Sequence, residues 1–128
     1  MPLVILVEDH ADTRLMYAEF LSSEFEVVQA GDGEEALRAM QTRVPDLVIT
    51  DLALPGVNGF ELVALMRADP TLAAVPVICL SGYGGSAQED RAREVGCDRL
   101  IEKPCLPDTL SDAALEVLRA RRQPRQDA

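Results

Sequence analysis

Residues 47–59 read L-V-I-T-D-L-A-L-P-G-V-N-G, and the punctuation of that stretch decides the architecture. Leu47, Val48 and Ile49 form a continuous apolar run, as expected of a central strand covered by helices on both faces, and Asp51 stands at its carboxyl end. The Pro-Gly pair marks a loop. Beyond it Phe60, Leu62, Val63, Leu65 and Met66 suggest a helix, which Asp69 and Pro70 stop.

The same unit recurs on both sides. Toward the amino terminus, a strand at 3–7 precedes a helix beginning near Asp12, whose side chain can cap it and whose apolar positions are Leu15, Met16, Ala18 and Leu21. A second strand at 25–30 meets the G-D-G turn at 31–33, and a helix carrying Ala36, Leu37 and Met40 follows. Toward the carboxyl terminus come a strand at 75–80, a sparsely apolar helix at 86–95 and a short strand around Leu100 and Ile101. A last helix from Pro107 carries Leu110, Ala113, Ala114, Val117 and Leu118. In the helix at 86–95 the expected inner face is Ala87, Ala92 and Val95, and so few anchors make it the candidate for the most mobile element. Strands alternating with crossover helices imply an α/β fold with an open, doubly wound parallel sheet, in which the carboxyl ends of the strands share one crevice.

The 128 residues, 48% of them apolar, suffice for one domain, expected over residues 1–122 with a polar tail at 123–128. No stretch is long and apolar enough to span a membrane, and M-P-L-V-I-L-V-E lacks the features of a secretory leader, so a cytoplasmic location is expected. A net charge of −10 opposes direct nucleic-acid binding. Arg119, Arg121, Arg122 and Arg125 read as a solvated helix end. Cys79, Cys97 and Cys105 follow no zinc or disulfide spacing and are expected as reduced thiols, Cys79 as a small core hydrophobe.

The strand ends bring Glu8 and Asp9, Asp51, Ser81 and Lys103 to the same side of the sheet. Two carboxylates about 4 Å apart repel by roughly 4 kcal/mol at an effective dielectric near 20, and one lysine does not offset three acids. A hard divalent cation does. Glu8, Asp9 and Asp51 are therefore assigned to Mg²⁺, with the backbone carbonyl of Ala53 as a further ligand. A carboxylate beside such a cation can be a nucleophile toward phosphorus, giving an acyl phosphate on Asp51. The Lys103 ammonium would neutralise its charge and the Ser81 hydroxyl would donate to it. The plainer readings are Asp9 as a helix cap, Ser81 as a turn residue, Lys103 as a solvated strand end and His10 as a solvated loop residue.

V-E-D at 7–9, D-x-x-x-P-G-x-x-G from Asp51 to Gly59, L-S-G at 80–82 and E-K-P at 102–104, in that order, resemble the response-regulator receiver family. The resemblance covers nearly the whole chain. It implies a flavodoxin-like five-stranded sheet in the order 2-1-3-4-5 with five helices. It further implies Asp51 as phosphoacceptor, Mg²⁺ held by Glu8 and Asp9, Ser81 as the switch hydroxyl and Lys103 on the phosphoryl group. The implied donor is a sensor histidine kinase or a histidine phosphotransfer protein. The implied output face, built from the fourth helix, fifth strand and fifth helix, would meet a downstream protein target, with the chain a monomer or a phosphorylation-dependent dimer and no output module of its own. Pro104 matches a position where the family often has a cis peptide, and Ala53 and Tyr83 fall where it tunes acyl-phosphate lifetime. Leu100 stands where the family usually has a switch aromatic, and Cys105 replaces a bulky apolar residue.

Such a module is a switch rather than an enzyme. The alternative is a phosphatase-like enzyme using Asp51 on an external substrate, but dehalogenase-type phosphatases carry a second acid two residues on, where this chain has Ala53. A nucleotide-binding Rossmann domain is opposed by E-D-H-A-D after the first strand, which lacks glycines. A scaffold-only pseudo-receiver is opposed by the full set of five polar positions.

Overall fold

A computed structural model describes residues 1–82 and 85–121; Tyr83, Gly84, Arg122 and the tail at 123–128 lie outside the described residues. The elements run β1 (Leu3–Val7), α1 (Ala11–Leu21), β2 (Glu26–Ala30), α2 (Gly33–Thr42), β3 (Leu47–Asp51), α3 (Gly59–Ala68), β4 (Val77–Ser81), α4 (Ser86–Val95), β5 (Arg99–Glu102) and α5 (Pro107–Arg121). All strand pairs are parallel and the order is β2-β1-β3-β4-β5. The sheet and its five helices are those expected from the alternation of apolar runs.

Every residue of β1, β3 and β4 is buried. Side chains alternate across a strand, so one face takes Ile5, Val7, Val48, Val77 and Cys79 and packs them against α2, α3 and Ala92 of α4. The other takes Val4, Leu6, Leu47, Ile49, Ile78 and Leu80 and packs them against α1 and α5. Burial on both faces is what demands the unbroken apolar runs. Cys79, Cys97 and Cys105 are all free thiols, and no helix among the described residues is long and apolar enough to cross a membrane.

Local chemistry fixes the starts of α2 and α3. Asp32 accepts the Glu35 amide at 2.8 Å, and Asn58 with Glu61 forms a reciprocal capping box. Gly59 opens α3 against the backbone of β3: a Cβ there would stand 2.5 Å from the Asp51 carbonyl oxygen. The glycine is thus required by close approach.

Four expectations are corrected. Helix α1 begins at Ala11 with His10 as N-cap and no side-chain cap, so Asp12 lies within the first turn, where its charge suits the helix dipole. Leu15 and Met16 are 50% and 46% exposed; Tyr17, Ala18 and Leu21 face inward instead. At about 100° per residue, Leu15 falls some 200° from Tyr17, and it cannot share that face. Leu65 is outward on α3 for the same reason, two residues from buried Val63. In α4, Ala92 is buried and Ala87 exposed, since five residues turn the helix about 140° past a full circle.

Candidate phosphoacceptor site

The carboxyl ends of β1, β3, β4 and β5 lie side by side in the sheet, with Asp51 registered to Leu80 and Ser81 to Glu102. Because each strand stops at the same edge, the residues at and just beyond that edge gather there. Glu8 is 1%, Asp51 5% and Ser81 2% exposed, although all three are polar. Burial of that kind requires partners.

Lys103 supplies them. Its Nζ donates to Asp51 Oδ2 at 2.7 Å and to Glu8 Oε1 at 2.5 Å. Its own backbone amide donates to the Ser81 carbonyl at 2.7 Å, which fixes the lysine against β4, and the next peptide bond, to Pro104, is cis. Burial by itself would lower the Lys103 pKa, but the hydrogen bonds and charges of Asp51 and Glu8 outweigh it and hold the ammonium above its ordinary value. The remaining oxygens are also engaged: Asp51 Oδ1 accepts the Ala53 amide at 3.1 Å, and Glu8 Oε2 accepts the His10 amide at 3.3 Å.

Asp9 completes the acidic group from a more open position, its side chain 31% exposed. Ligand atoms of Glu8, Asp9 and His10 lie within 4.8 Å of one another. Asp51 reaches this group through Lys103. His10 is 76% exposed, as a solvated loop residue should be, yet its Nδ1 stands 3.3 Å from Asp9 Oδ1. Beyond their adjacency in the chain, nothing in the residue pattern announces that proximity.

Three supporting residues carried no recognisable signal. Arg14 donates to the Glu8 carbonyl at 2.8 Å. Tyr17 of α1 donates its hydroxyl to the Cys105 carbonyl at 2.8 Å, tying α1 to the loop that follows Lys103, and burial raises its phenol pKa, with Cys105 adding to the effect. Gln88 of α4 accepts the Ser81 hydroxyl at 2.5 Å. Only the Tyr17 pairing is distant in the chain, spanning 88 residues, but none of the three follows from apolar periodicity.

Chemically, three carboxylates and one ammonium leave two unbalanced negative charges around oxygen donors. That is the demand a hard divalent cation meets. One of the carboxylates, Asp51, is also held by a lysine able to shield incoming negative charge.

A family model described as the response regulator receiver domain matches residues 4–115. Response regulator Rre1 of Synechocystis sp. is 33% identical over 127 residues, covering 98% of this chain, which spans only 54% of that longer protein. The polar-differentiation response regulator DivK of Brucella anthropi is 31% identical over 102 residues, covering 79% of this chain and 83% of its own length. Among solved structures, the Vibrio cholerae chemotaxis protein CheY4 superposes with a TM-score of 0.87 at 30% identity, over 91% of this chain and 98% of that one.

Proposed function

The chain belongs to the response-regulator receiver family of two-component signalling, and from there we propose that it is a cytoplasmic switch that accepts a phosphoryl group on Asp51 from a phosphohistidine donor. The donor is a sensor histidine kinase or a histidine phosphotransfer protein. An Asp51 carboxylate oxygen attacks phosphorus while the bond from phosphorus to the donor imidazole breaks, its electron pair leaving with the imidazole.

Glu8, Asp9, Asp51 and the Ala53 carbonyl would hold Mg²⁺, which supplies charge neutralisation for the transferred group. The protein's own part is positional. Lys103, already 2.7 Å from Asp51 Oδ2, holds the acceptor and its charge stabilises the product. Ser81, at the end of the neighbouring strand, donates to a phosphoryl oxygen. Adding about −1.5 to −2 charge to this small crevice shifts the face formed by α4, β5 and α5 toward a protein target.

The observation that carries the reading is the Lys103 bridge between Asp51 and buried Glu8. Incubation with Mg²⁺ and acetyl phosphate tests it. Stoichiometric acyl-phosphate labelling is expected in the native chain and none in Asp51→Asn, whose circular dichroism should be unchanged. Labelling of Asp51→Asn, or sustained turnover of a phosphomonoester without a stable adduct, would overturn the assignment, the second outcome in favour of an enzyme.

A further inference from the structure

The two ends of α4 are held by different means. At its carboxyl end Arg67 of α3 donates through Nε and Nη2 to the Gly96 carbonyl at 3.0 and 2.8 Å, and through Nη1 to the Val75 carbonyl at 2.7 Å. Arg67 also pairs with Asp98 at 3.1 Å. Gly96 has the left-handed φ of 100°, and a Cβ there would collide with the Arg67 side chain. This end is therefore locked into the body of the protein.

Among the described residues the amino end shows no such lock. Its N-cap, Gly85, makes no side-chain cap, in contrast to Asp32 of α2 and Asn58 of α3, and Ala92 is the one buried residue of α4. Midway along, the Arg91 guanidinium lies 4.2 Å from the centre of the Phe60 ring. The first turn itself is tied to the sheet by Gln88, whose Oε1 takes the Ser81 hydroxyl at 2.5 Å.

A hydroxyl carries one proton and cannot donate it to two acceptors at once. A phosphoryl oxygen is charged, and hydrogen bonds to charged acceptors are roughly twice as strong as neutral ones. We propose that Gln88 is the residue through which phosphorylation reaches α4: recruitment of the Ser81 hydroxyl by a phosphoryl oxygen on Asp51 releases Gln88 and frees the first turn of α4, while Arg67 keeps the last turn fixed as a pivot. The device needs no aromatic side chain at position 100, where this chain has a partly buried leucine packed on the core. The proposal rests on Asp51 being the acceptor. Gln88 is a positioning residue that touches neither metal nor phosphoryl group.

Amide hydrogen exchange across residues 86–91 tests it, read with and without Mg²⁺ and acetyl phosphate in the native chain, Gln88→Ala, Ser81→Ala and the double variant. In the native chain phosphorylation should speed exchange there about fivefold, the factor expected for loss of one neutral hydrogen bond. Unphosphorylated Gln88→Ala should already show the faster rate, label Asp51 fully and gain little on phosphorylation. Without phosphorylation, Ser81→Ala and the double variant should match Gln88→Ala, because all three break the same bond. If Gln88→Ala labels normally and its α4 exchange behaves as in the native chain, the tether is wrong and the acceptor assignment stands. If the native chain does not label at all, both fall.

Discussion

Lys103 and Asp51 are 52 residues apart in the chain, yet Nζ and Oδ2 stand 2.7 Å apart, and the same ammonium reaches Glu8 at 2.5 Å. One cation thus holds two buried carboxylates. Lys103→Met should destabilise the metal-free protein by about 2–3 kcal/mol, because Glu8 and Asp51 lose their common partner inside the protein. Mg²⁺ should then restore more stability in the variant than it adds to the native chain. Urea midpoints with and without Mg²⁺ check this, and equal Mg²⁺ effects would separate Lys103 from the metal site.

Asp9 is the most open of the three acids and the one least involved with Lys103. Asp9→Asn should leave stability in chelator nearly unchanged and weaken Mg²⁺ binding roughly tenfold or more, the equivalent of about 1.4 kcal/mol of lost charge attraction. An Mg²⁺ titration followed by the amide resonances of residues 51–53 reads the affinity directly.

Gly59 touches the acceptor strand from the far side of the loop. A methyl group there would meet the Asp51 carbonyl at 2.5 Å and the Leu52 Cα at 2.6 Å, and backbone atoms do not yield easily. Gly59→Ala is expected to cost about 1–3 kcal/mol and to slow labelling by acetyl phosphate as Asp51 shifts. Guanidinium denaturation and a labelling time course measure the two effects.

Tyr17 gives a pH dependence. Burial, with a contribution from Cys105, raises its phenol above the ordinary 10.0, so the folded state keeps the proton where the unfolded chain has begun to lose it. Its contribution is complete below about pH 10 and is lost as pH rises through the folded value. For Lys103 burial lowers the pKa, but the hydrogen bonds and charges of Asp51 and Glu8 outweigh it and hold it above the ordinary 10.5, so this group acts in the same direction. Stability attributable to these groups should be flat near neutrality and fall in alkali. Tyr17→Phe should lose about 1 kcal/mol at neutral pH, with its hydrogen bond to the Cys105 carbonyl, and show a shallower alkaline decline by thermal unfolding.

The sheet and its polar carboxyl edge are legible in local patterning alone. Leu47 to Ile49 can be satisfied only where both faces are covered, and a strand of that kind ending in Asp51, beside others ending near Glu8, Ser81 and Lys103, commits those residues to one rim. What the sequence left open was rotation and partnership. Helical periodicity gives the angle between Leu15, Met16, Tyr17 and Ala18 but not which of them points inward; in the fold Tyr17 and Ala18 pack into the core, and the Tyr17 hydroxyl reaches the Cys105 carbonyl 88 residues away. In the same way, nothing near Ser81 or Lys103 in the chain announces Gln88 or the choice of Glu8 as a second acceptor. Apolar patterning is local because burial is a property of each residue, whereas a hydrogen bond exists only between two positioned atoms, and only the assembled fold positions them.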